Sequence, residues 1–160
     1  MSTADAKIPN IQRIDGPPPR VLVVRAAYYQ AVVEGMTEGA IRILRDAGAT
    51  YEVLDVAGAF ELPQAIRIAL RGEQRFDGFV ALGCVVKGET DHYHYICSET
   101  MAGLMHVALH YGIPLGSGLL TVHTIEQAVA RSRPDRHNKG SEAAAAALLQ
   151  IDLARRLGAV

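Results

Sequence analysis

The sequence has few cysteines, almost no net charge and no long apolar run, and each of these shortages excludes a class of protein. Its 160 residues include two cysteines, Cys84 in an apolar segment and Cys97 in a predicted helix, and we expect both to be free buried thiols. A balance of 16 basic against 17 acidic side chains gives a formal net charge of −1, which does not favour a nucleic-acid partner. No apolar run approaches the ~20 residues that span a bilayer, so we expect no membrane partner.

The N-terminal part of the chain differs from the rest. Met1–Asn10 is polar and lacks the apolar core of a signal peptide, which predicts a cytoplasmic protein. Residues 1–19 show no helical period and end in three prolines, so we predict an extended arm. The isoleucines of such an arm favour contact with a neighbouring subunit. Residues 20–160 have the size of a single domain.

Beyond the arm, apolar runs alternate with segments of helical period. The runs at 21–24 and 79–82 are typical of fully buried parallel strands. We predict strands at 21–24, 51–56, 76–86 and 113–122, and helices at 28–48, 62–72, 91–111, 124–131 and 141–157. Strands that alternate with helices need right-handed crossovers and a parallel sheet covered on both faces. The fold class is therefore α/β, a flavodoxin-like three-layer α/β/α sandwich with a four-stranded parallel sheet.

The polar loops of such a sheet fall on one edge. In parallel α/β sheets, ligands bind beyond the carboxyl ends of the strands. Those ends are followed here by Arg25–Tyr28, Ala57–Glu61, Cys84–Thr90 and the region after Thr121. The sequence therefore predicts a binding site at this edge.

The segment 81–97 combines the parts of an anion site with an acid–base group. A predicted strand, a polar loop and a helix N-terminus follow each other, so backbone N–H groups converge on one point. Lys87 adds a positive charge and Thr90 a hydroxyl donor. His92, in the first turn of the helix, has an ordinary pKa of roughly 6.5 that suits proton transfer near neutrality.

Other interpretations of these residues stand beside the catalytic one. His92, His94 and Cys97 lack the paired spacing of structural zinc sites. His106 and His110 are four residues apart, as metal ligands on a helix can be, but no carboxylate partner is evident. We therefore expect no metal site.

Two of the candidate residues also have ordinary structural explanations. Taken alone, His92 is typical of a histidine at a helix start. Arg131 together with Arg133 and Arg136 is typical of a solvated basic cluster.

Three segments carry a resemblance to a known family. Val56–Pro63 is VAGAFELP, Ala81–His92 is ALGCVVKGETDH, and Thr124–Ala128 is TIEQA, ahead of Asn138–Gly140, which is NKG. In order and spacing these segments resemble the 6,7-dimethyl-8-ribityllumazine synthase family, over roughly residues 20–157. The fold of that family is the flavodoxin-like sandwich predicted above.

The resemblance implies a transferase of riboflavin biosynthesis. Members of the family condense 5-amino-6-ribitylaminouracil with 3,4-dihydroxy-2-butanone 4-phosphate, and the products are 6,7-dimethyl-8-ribityllumazine, phosphate and water. The implied chemistry uses no cofactor. It needs a flat ring-binding surface, a phosphate site and a proton shuttle, and positioning of two substrates contributes several kcal/mol by itself.

The resemblance also implies roles for single residues. His92 matches the histidine that moves protons, and Arg131 matches the arginine that binds phosphate in a bidentate fork. Glu89 and Thr90 match a loop that also holds phosphate, and Lys139 matches a lysine close to the site.

The pyrimidine and its ribityl chain have their own matching residues. Tyr28 matches an aromatic residue that stacks on the ring, commonly Phe or Trp in the family. The loop that contacts the ribityl chain matches Ala59, Phe60 and Glu61. The strand end whose backbone contacts the pyrimidine matches Cys84, Val85 and Val86.

Two positions depart from the family pattern. Tyr29 stands where Asn is frequent, and Ser117 stands where the family often has a Phe that reaches into the adjacent subunit's site. These departures leave open a catalytically weak paralogue that binds lumazine or riboflavin.

The resemblance implies an assembly as well. Ser117 and Lys139 match positions that a neighbouring subunit supplies, so the site is expected between subunits of a homo-pentamer. Shells of sixty subunits often carry a glycine-rich kink before the last helix, and residues 132–138 contain no glycine. We expect a free pentamer or a decamer rather than a 60-mer.

Overall fold

The computed structural model describes residues 13–159 and confirms the predicted alternation of strands and helices. The elements in chain order are β1 (Arg20–Ala26), α1 (Gln30–Asp46), β2 (Thr50–Val56), α2 (Leu62–Ala69), β3 (Gly78–Val86), α3 (His92–Tyr111), β4 (Leu115–Val122), α4 (Ile125–Ala130) and α5 (Lys139–Arg156). A single 3₁₀ turn, Ala59–Glu61, leads into α2.

The four strands form one parallel sheet in the order β2-β1-β3-β4. This is the flavodoxin-like order that the sequence predicts. The strand order reverses between β1 and β3, which is the switch point of the sheet. Side chains that alternate along β1 and β3 enter two separate cores, one under α1 and α5 and the other under α2 and α3. The molecule is therefore a three-layer α/β/α sandwich.

The two central strands and the edge strands differ in burial. Val21–Val24 and Phe79–Leu82, the apolar runs selected from the sequence, are almost fully buried because helices cover both of their faces. Strand β2 lies at an edge, and most of its residues are exposed, including Val53 and Leu54.

Several element ends have identifiable causes. Gly48 follows α1 with φ 75°, the left-handed conformation expected of a glycine after a helix. The Thr124 side chain accepts a hydrogen bond from Gln127 N and caps α4, as predicted. Helix α5 begins two residues before the predicted Ser141, because Asn138 caps it by accepting from Ser141 N.

The predicted start of β4 at Ile113 is wrong by two residues. Ile113 N donates to Ala108 O, so this residue still closes α3. Pro114 then has no N–H to offer a sheet, and the strand begins at Leu115.

The alanine-rich segment of α5 is a packing face, as its composition predicts. Ala143, Ala144, Ala145 and Ala147 are buried. A Cβ at Gly116 would collide with Ala143 O, so the backbones of β4 and α5 are in direct contact. This contact fixes the start of α5 beside β4.

The predicted arm of residues 1–19 is described from residue 13 onward, and residues 1–12 lie outside the described part of the chain. Ile14 is buried in the core under α1 and α5. Arg155 donates to the carbonyl oxygens of Asp15 and Pro17 at 2.9 and 2.8 Å. Residues 13–19 therefore pack on their own domain.

The sequence predicted that both cysteines are free, buried thiols. Cys84 is buried and unpaired, whereas Cys97 is unpaired but only half-buried, so the prediction of a buried thiol is wrong for Cys97.

Within residues 13–159, no helix combines the length and the apolar character needed to cross a membrane.

Candidate active site at the carboxyl edge of the sheet

A cleft of about 580 Å³ lies at the carboxyl ends of β1, β2 and β3. Its lining contains eight of the predicted site residues: Tyr28, Ala59, Phe60, Glu61, Cys84, Val85, Val86 and His92. Three loops that are far apart in sequence meet here, because parallel strands end at the same edge.

The loop after β1 contributes two aromatic rings. The rings of Tyr28 and Tyr29 are 6.4 Å apart and inclined by 60°, and 68% and 42% of these residues' surfaces are exposed. Tyr29 immediately precedes α1 and has φ 54° and ψ 57°. From the sequence, Tyr29 is only a departure from the family pattern, whereas its neighbour Tyr28 is a predicted site residue.

The loop after β2 forms the second wall. Glu61 N donates to Gly58 O at 3.2 Å and closes the 3₁₀ turn that begins at Ala59. Ala59 is buried, Phe60 is exposed and the Glu61 side chain is half-buried, so the turn presents a ring and a carboxylate to the cleft. Such a pair suits a ligand with an apolar ring and hydroxyl groups.

The end of β3 and the start of α3 form the floor and the third wall. Burial raises the pKa of the Cys84 thiol to about 11, so this thiol is neutral at pH 7. His92 is the first residue of α3 and is exposed to the cleft. Ile96, one helical turn further on, also lines the cleft. The sequence analysis did not select it, although a spacing of four residues from His92 places both on the same face of the helix.

Glu89 and Thr90 lie on the exposed loop that joins Val86 to His92. Lys87 N donates to Val122 O at 2.9 Å and fixes the start of this loop to the end of β4. Neither Glu89 nor Thr90 lines the cleft, although residues on both sides of the loop do.

The other predicted site residues form a second, separate group. A depression of about 210 Å³ along the edge strand β4 contains Ser117, Arg131 and Lys139. It has no lining residue in common with the cleft. We call these two groups half-sites; they lie on neighbouring strands, because Val85 and Val86 of the cleft pair with Thr121 and Val122 of the depression.

The cations of this second group are held in place by their neighbours. Arg131 Nη1 donates to Gln127 O at 2.8 Å, and Lys139 Nζ lies 2.6 Å from Glu142 Oε2. Lys139 N also donates to Arg131 O at 2.9 Å, so the two backbones are joined directly. An anion in this depression would meet the Arg131 guanidinium and a Lys139 ammonium that is already paired with Glu142.

The chain offers little support for a metal centre. Between residues 13 and 159, no three His, Cys, Asp or Glu side chains are grouped so that they could hold a metal ion. The rings of His106 and His110 stack on each other with centroids 5.3 Å apart.

A parallel α/β sandwich with a polar and aromatic cleft beyond its strand ends belongs to the doubly wound class, whose members bind small molecules at this edge. The sequence profile of the family described as 6,7-dimethyl-8-ribityllumazine synthase matches residues 18–155. The chain belongs to this family.

Individual relatives agree with the family match. A 6,7-dimethyl-8-ribityllumazine synthase of Agrobacterium fabrum is 44% identical over 144 residues, which cover 88% of this chain and 97% of that protein. A protein of the same name from Nitrobacter hamburgensis is 42% identical over 159 residues, covering 96% of this chain and 98% of the relative. That of Azorhizobium caulinodans is 45% identical over 141 residues, covering 86% and 87%.

Proposed function

We propose that this protein is a transferase that condenses 5-amino-6-ribitylaminouracil with 3,4-dihydroxy-2-butanone 4-phosphate to 6,7-dimethyl-8-ribityllumazine, phosphate and water. The observation that carries the proposal is the family match over residues 18–155, on a fold whose cleft gathers eight predicted site residues. Relatives named as synthases favour the enzyme over a paralogue that only binds lumazine or riboflavin.

The cleft supplies what the pyrimidine substrate needs. Tyr28 stacks on the ring, the backbone of Cys84, Val85 and Val86 bonds its polar edges, and Glu61 accepts hydrogen bonds from the ribityl hydroxyls. Ala59 and Phe60 form the wall beside that chain. The neutral Cys84 thiol suits a position beside a neutral ring, because it adds no charge there.

The second half-site supplies what the phosphorylated substrate needs. Arg131 binds the phosphate through its guanidinium, assisted by Lys139 and by the loop of Glu89 and Thr90. Inorganic phosphate, a product, is released from the same place. Ser117 leaves room at this point, because its side chain is much smaller than an aromatic ring.

The two half-sites come together between subunits. The cleft of one subunit and the depression of its neighbour face each other in a homo-pentamer, in keeping with the resemblance, in which a neighbouring subunit supplies the positions of Ser117 and Lys139. Two apolar surfaces support a head-to-tail ring. One groove between α2 and α3 contains Phe60 and Ile68, and a different one contains Leu109 and Leu153.

The chemistry then proceeds by proton transfers. The amine of the pyrimidine attacks the ketone, and loss of water gives an imine. Removal of the proton from the hydroxyl-bearing carbon next to the imine expels phosphate and leaves an enol, which tautomerises to a ketone. The ribitylamino nitrogen attacks this new ketone, and loss of a second water closes the ring. His92 carries these protons, because its imidazole lines the cleft and can both accept and donate a proton.

The unpaired cysteines are consistent with a reducing compartment, and the proposal places the protein in the cytoplasm. The proposed pentamer is free or paired into a decamer.

An absorbance assay with both substrates tests the function. We expect the lumazine chromophore to form well above its spontaneous rate, and replacement of His92 by Ala to slow turnover by about tenfold or more. Formation of lumazine no faster than without protein would refute the proposed activity.

Mixed pentamers test the composite site. His92→Ala and Arg131→Ala subunits, each impaired alone, are dissociated, mixed in equal amounts and reassembled. If the site is shared, about a quarter of the interfaces receive an intact His92 and an intact Arg131, and activity returns accordingly. Activity no higher than the average of the two variants would place the whole site within one chain.

A further inference from the structure

Tyr29 has a backbone conformation that tyrosine rarely adopts. It is the one non-glycine residue between positions 13 and 159 with a positive φ, at 54°. In this left-handed region the β-carbon approaches the following carbonyl group, and the region is populated mainly by glycine, asparagine and aspartate.

The local structure gives no compensation for this conformation. Tyr29 occupies the N-cap position of α1, where its side chain makes no capping hydrogen bond. A short polar side chain such as Asn tolerates this backbone region far better than tyrosine does. Nor is the ring part of a core, since 42% of the residue is exposed.

Tyr29 does belong to the cleft. It lines the same space as Tyr28, Glu61 and His92. Because the two tyrosine rings are inclined by 60° at 6.4 Å, they form a corner rather than a flat surface. A planar ligand that stacks on Tyr28 therefore lies at about the same inclination to the Tyr29 ring, which is close to the favourable edge-to-face arrangement of aromatic groups.

We propose that Tyr29 is a substrate-contacting residue that sets affinity for the heteroaromatic ring, as the second aromatic wall of the cleft. This inference rests on the proposed function. A strained, uncapped and exposed tyrosine is retained because its ring contributes to binding rather than to folding.

The variant Tyr29→Asn separates these contributions. Asn relieves the backbone strain, so we expect the melting temperature to rise by about 2–4 °C. The same change removes the second wall, so we expect the dissociation constant for 6,7-dimethyl-8-ribityllumazine to rise about three- to tenfold. Fluorescence titration measures the affinity, and scanning calorimetry at fixed protein concentration measures the melting temperature.

Two controls sharpen the test. Tyr29→Phe keeps the ring and the backbone strain, so we expect it to retain most of the affinity without the gain in melting temperature. The KM for the butanone phosphate should not change in either variant, because that substrate is bound by the other half-site. A role confined to folding would instead lower the melting temperature of Tyr29→Asn and leave the affinity for lumazine unchanged.

The outcomes distinguish this inference from the function on which it rests. Wild-type affinity in Tyr29→Asn, with an active wild-type enzyme, overturns the role of Tyr29 alone. A wild-type protein that neither forms nor binds lumazine overturns both.

Discussion

Asn138 joins the segments that carry the two cations of the second half-site, and its replacement by Ala is expected to be costly. The residue is fully buried. Its Nδ2 donates to the carbonyl oxygens of Ser132 and Arg133, both at 2.9 Å, and of Gly35 at 3.0 Å. Its Oδ1 accepts from Ser141 N at 2.9 Å and caps α5. One side chain thus connects α1, the loop after α4 and α5.

The size of this stability loss depends on which carbonyl groups have Asn138 as their only hydrogen-bond partner. Gly35 O lies within α1, and Arg133 O also accepts from Asp135 N at 2.8 Å, so both keep a partner. Ser132 O has no second partner within the described part of the chain, and leaving it buried and unpaired costs about 1–3 kcal/mol. Loss of the α5 cap costs about 1 kcal/mol more. We therefore expect Asn138→Ala to lower the free energy of unfolding by about 2–4 kcal/mol, against a typical total of about 5–15 kcal/mol.

Urea unfolding followed by circular dichroism measures this loss. The protein concentration must be fixed, because assembly adds to the apparent stability. Gln74→Ala removes an amide from an exposed loop and serves as the matched control, with an expected change within about 0.5 kcal/mol. If Asn138→Ala loses no more than this control, the hydrogen bonds of Asn138 do not hold the loop, and the reasoning is wrong.

Three further predictions concern charge. Arg131→Ala should raise the KM for the phosphorylated substrate about 10–100-fold while leaving pyrimidine binding nearly unchanged, and equal loss of both in steady-state kinetics would contradict its role. The Arg25 side chain lowers the pKa of the Asp55 carboxyl through a hydrogen bond and through its positive charge. The pair therefore stabilises the folded state above about pH 4, and this contribution is lost as the pH falls through the lowered pKa of Asp55. Asp55→Asn should therefore cost less than about 1 kcal/mol at pH 7 and nothing in strong acid; an equal cost at both pH values in urea unfolding would refute this. Because burial raises the pKa of Cys84 to about 11, we expect iodoacetamide to modify this thiol at pH 8 far more slowly in the native than in the unfolded protein, and equal rates by mass spectrometry would contradict the assignment.

The predictions for the fold depended on patterns that local chemistry controls. The run Phe79–Leu82 predicted a buried central strand, because a continuous apolar segment is stable only with both faces covered. The start of β4 was mispredicted, because the type of a side chain does not show where the backbone N–H of that residue is bonded. Ile113 is apolar enough for a strand, but its N–H is already bonded to Ala108 O at the end of α3.

Most of the candidate site was also predictable from short segments. Glu61 and His92 were selected by motif, and both line the cleft because their strands are parallel and end together. Arg131 and Lys139 were selected in the same way, but they lie in a different depression. The resemblance predicted this separation for Lys139 but not for Arg131, whose place beside Ser117 depends on how α4 and α5 pack against β4.

The sequence by itself determined the elements, the class of sheet and the chemistry of the loops, because these depend on periodicity, capping residues and side-chain types over a few neighbouring positions. The tertiary structure alone decided the hydrogen bond of Asn138 to α1 and the position of Arg131 beside Ser117 in the second half-site. Each of these results from contacts between segments far apart in the chain. Such contacts are set by how the helices pack on the sheet, and no local pattern encodes them.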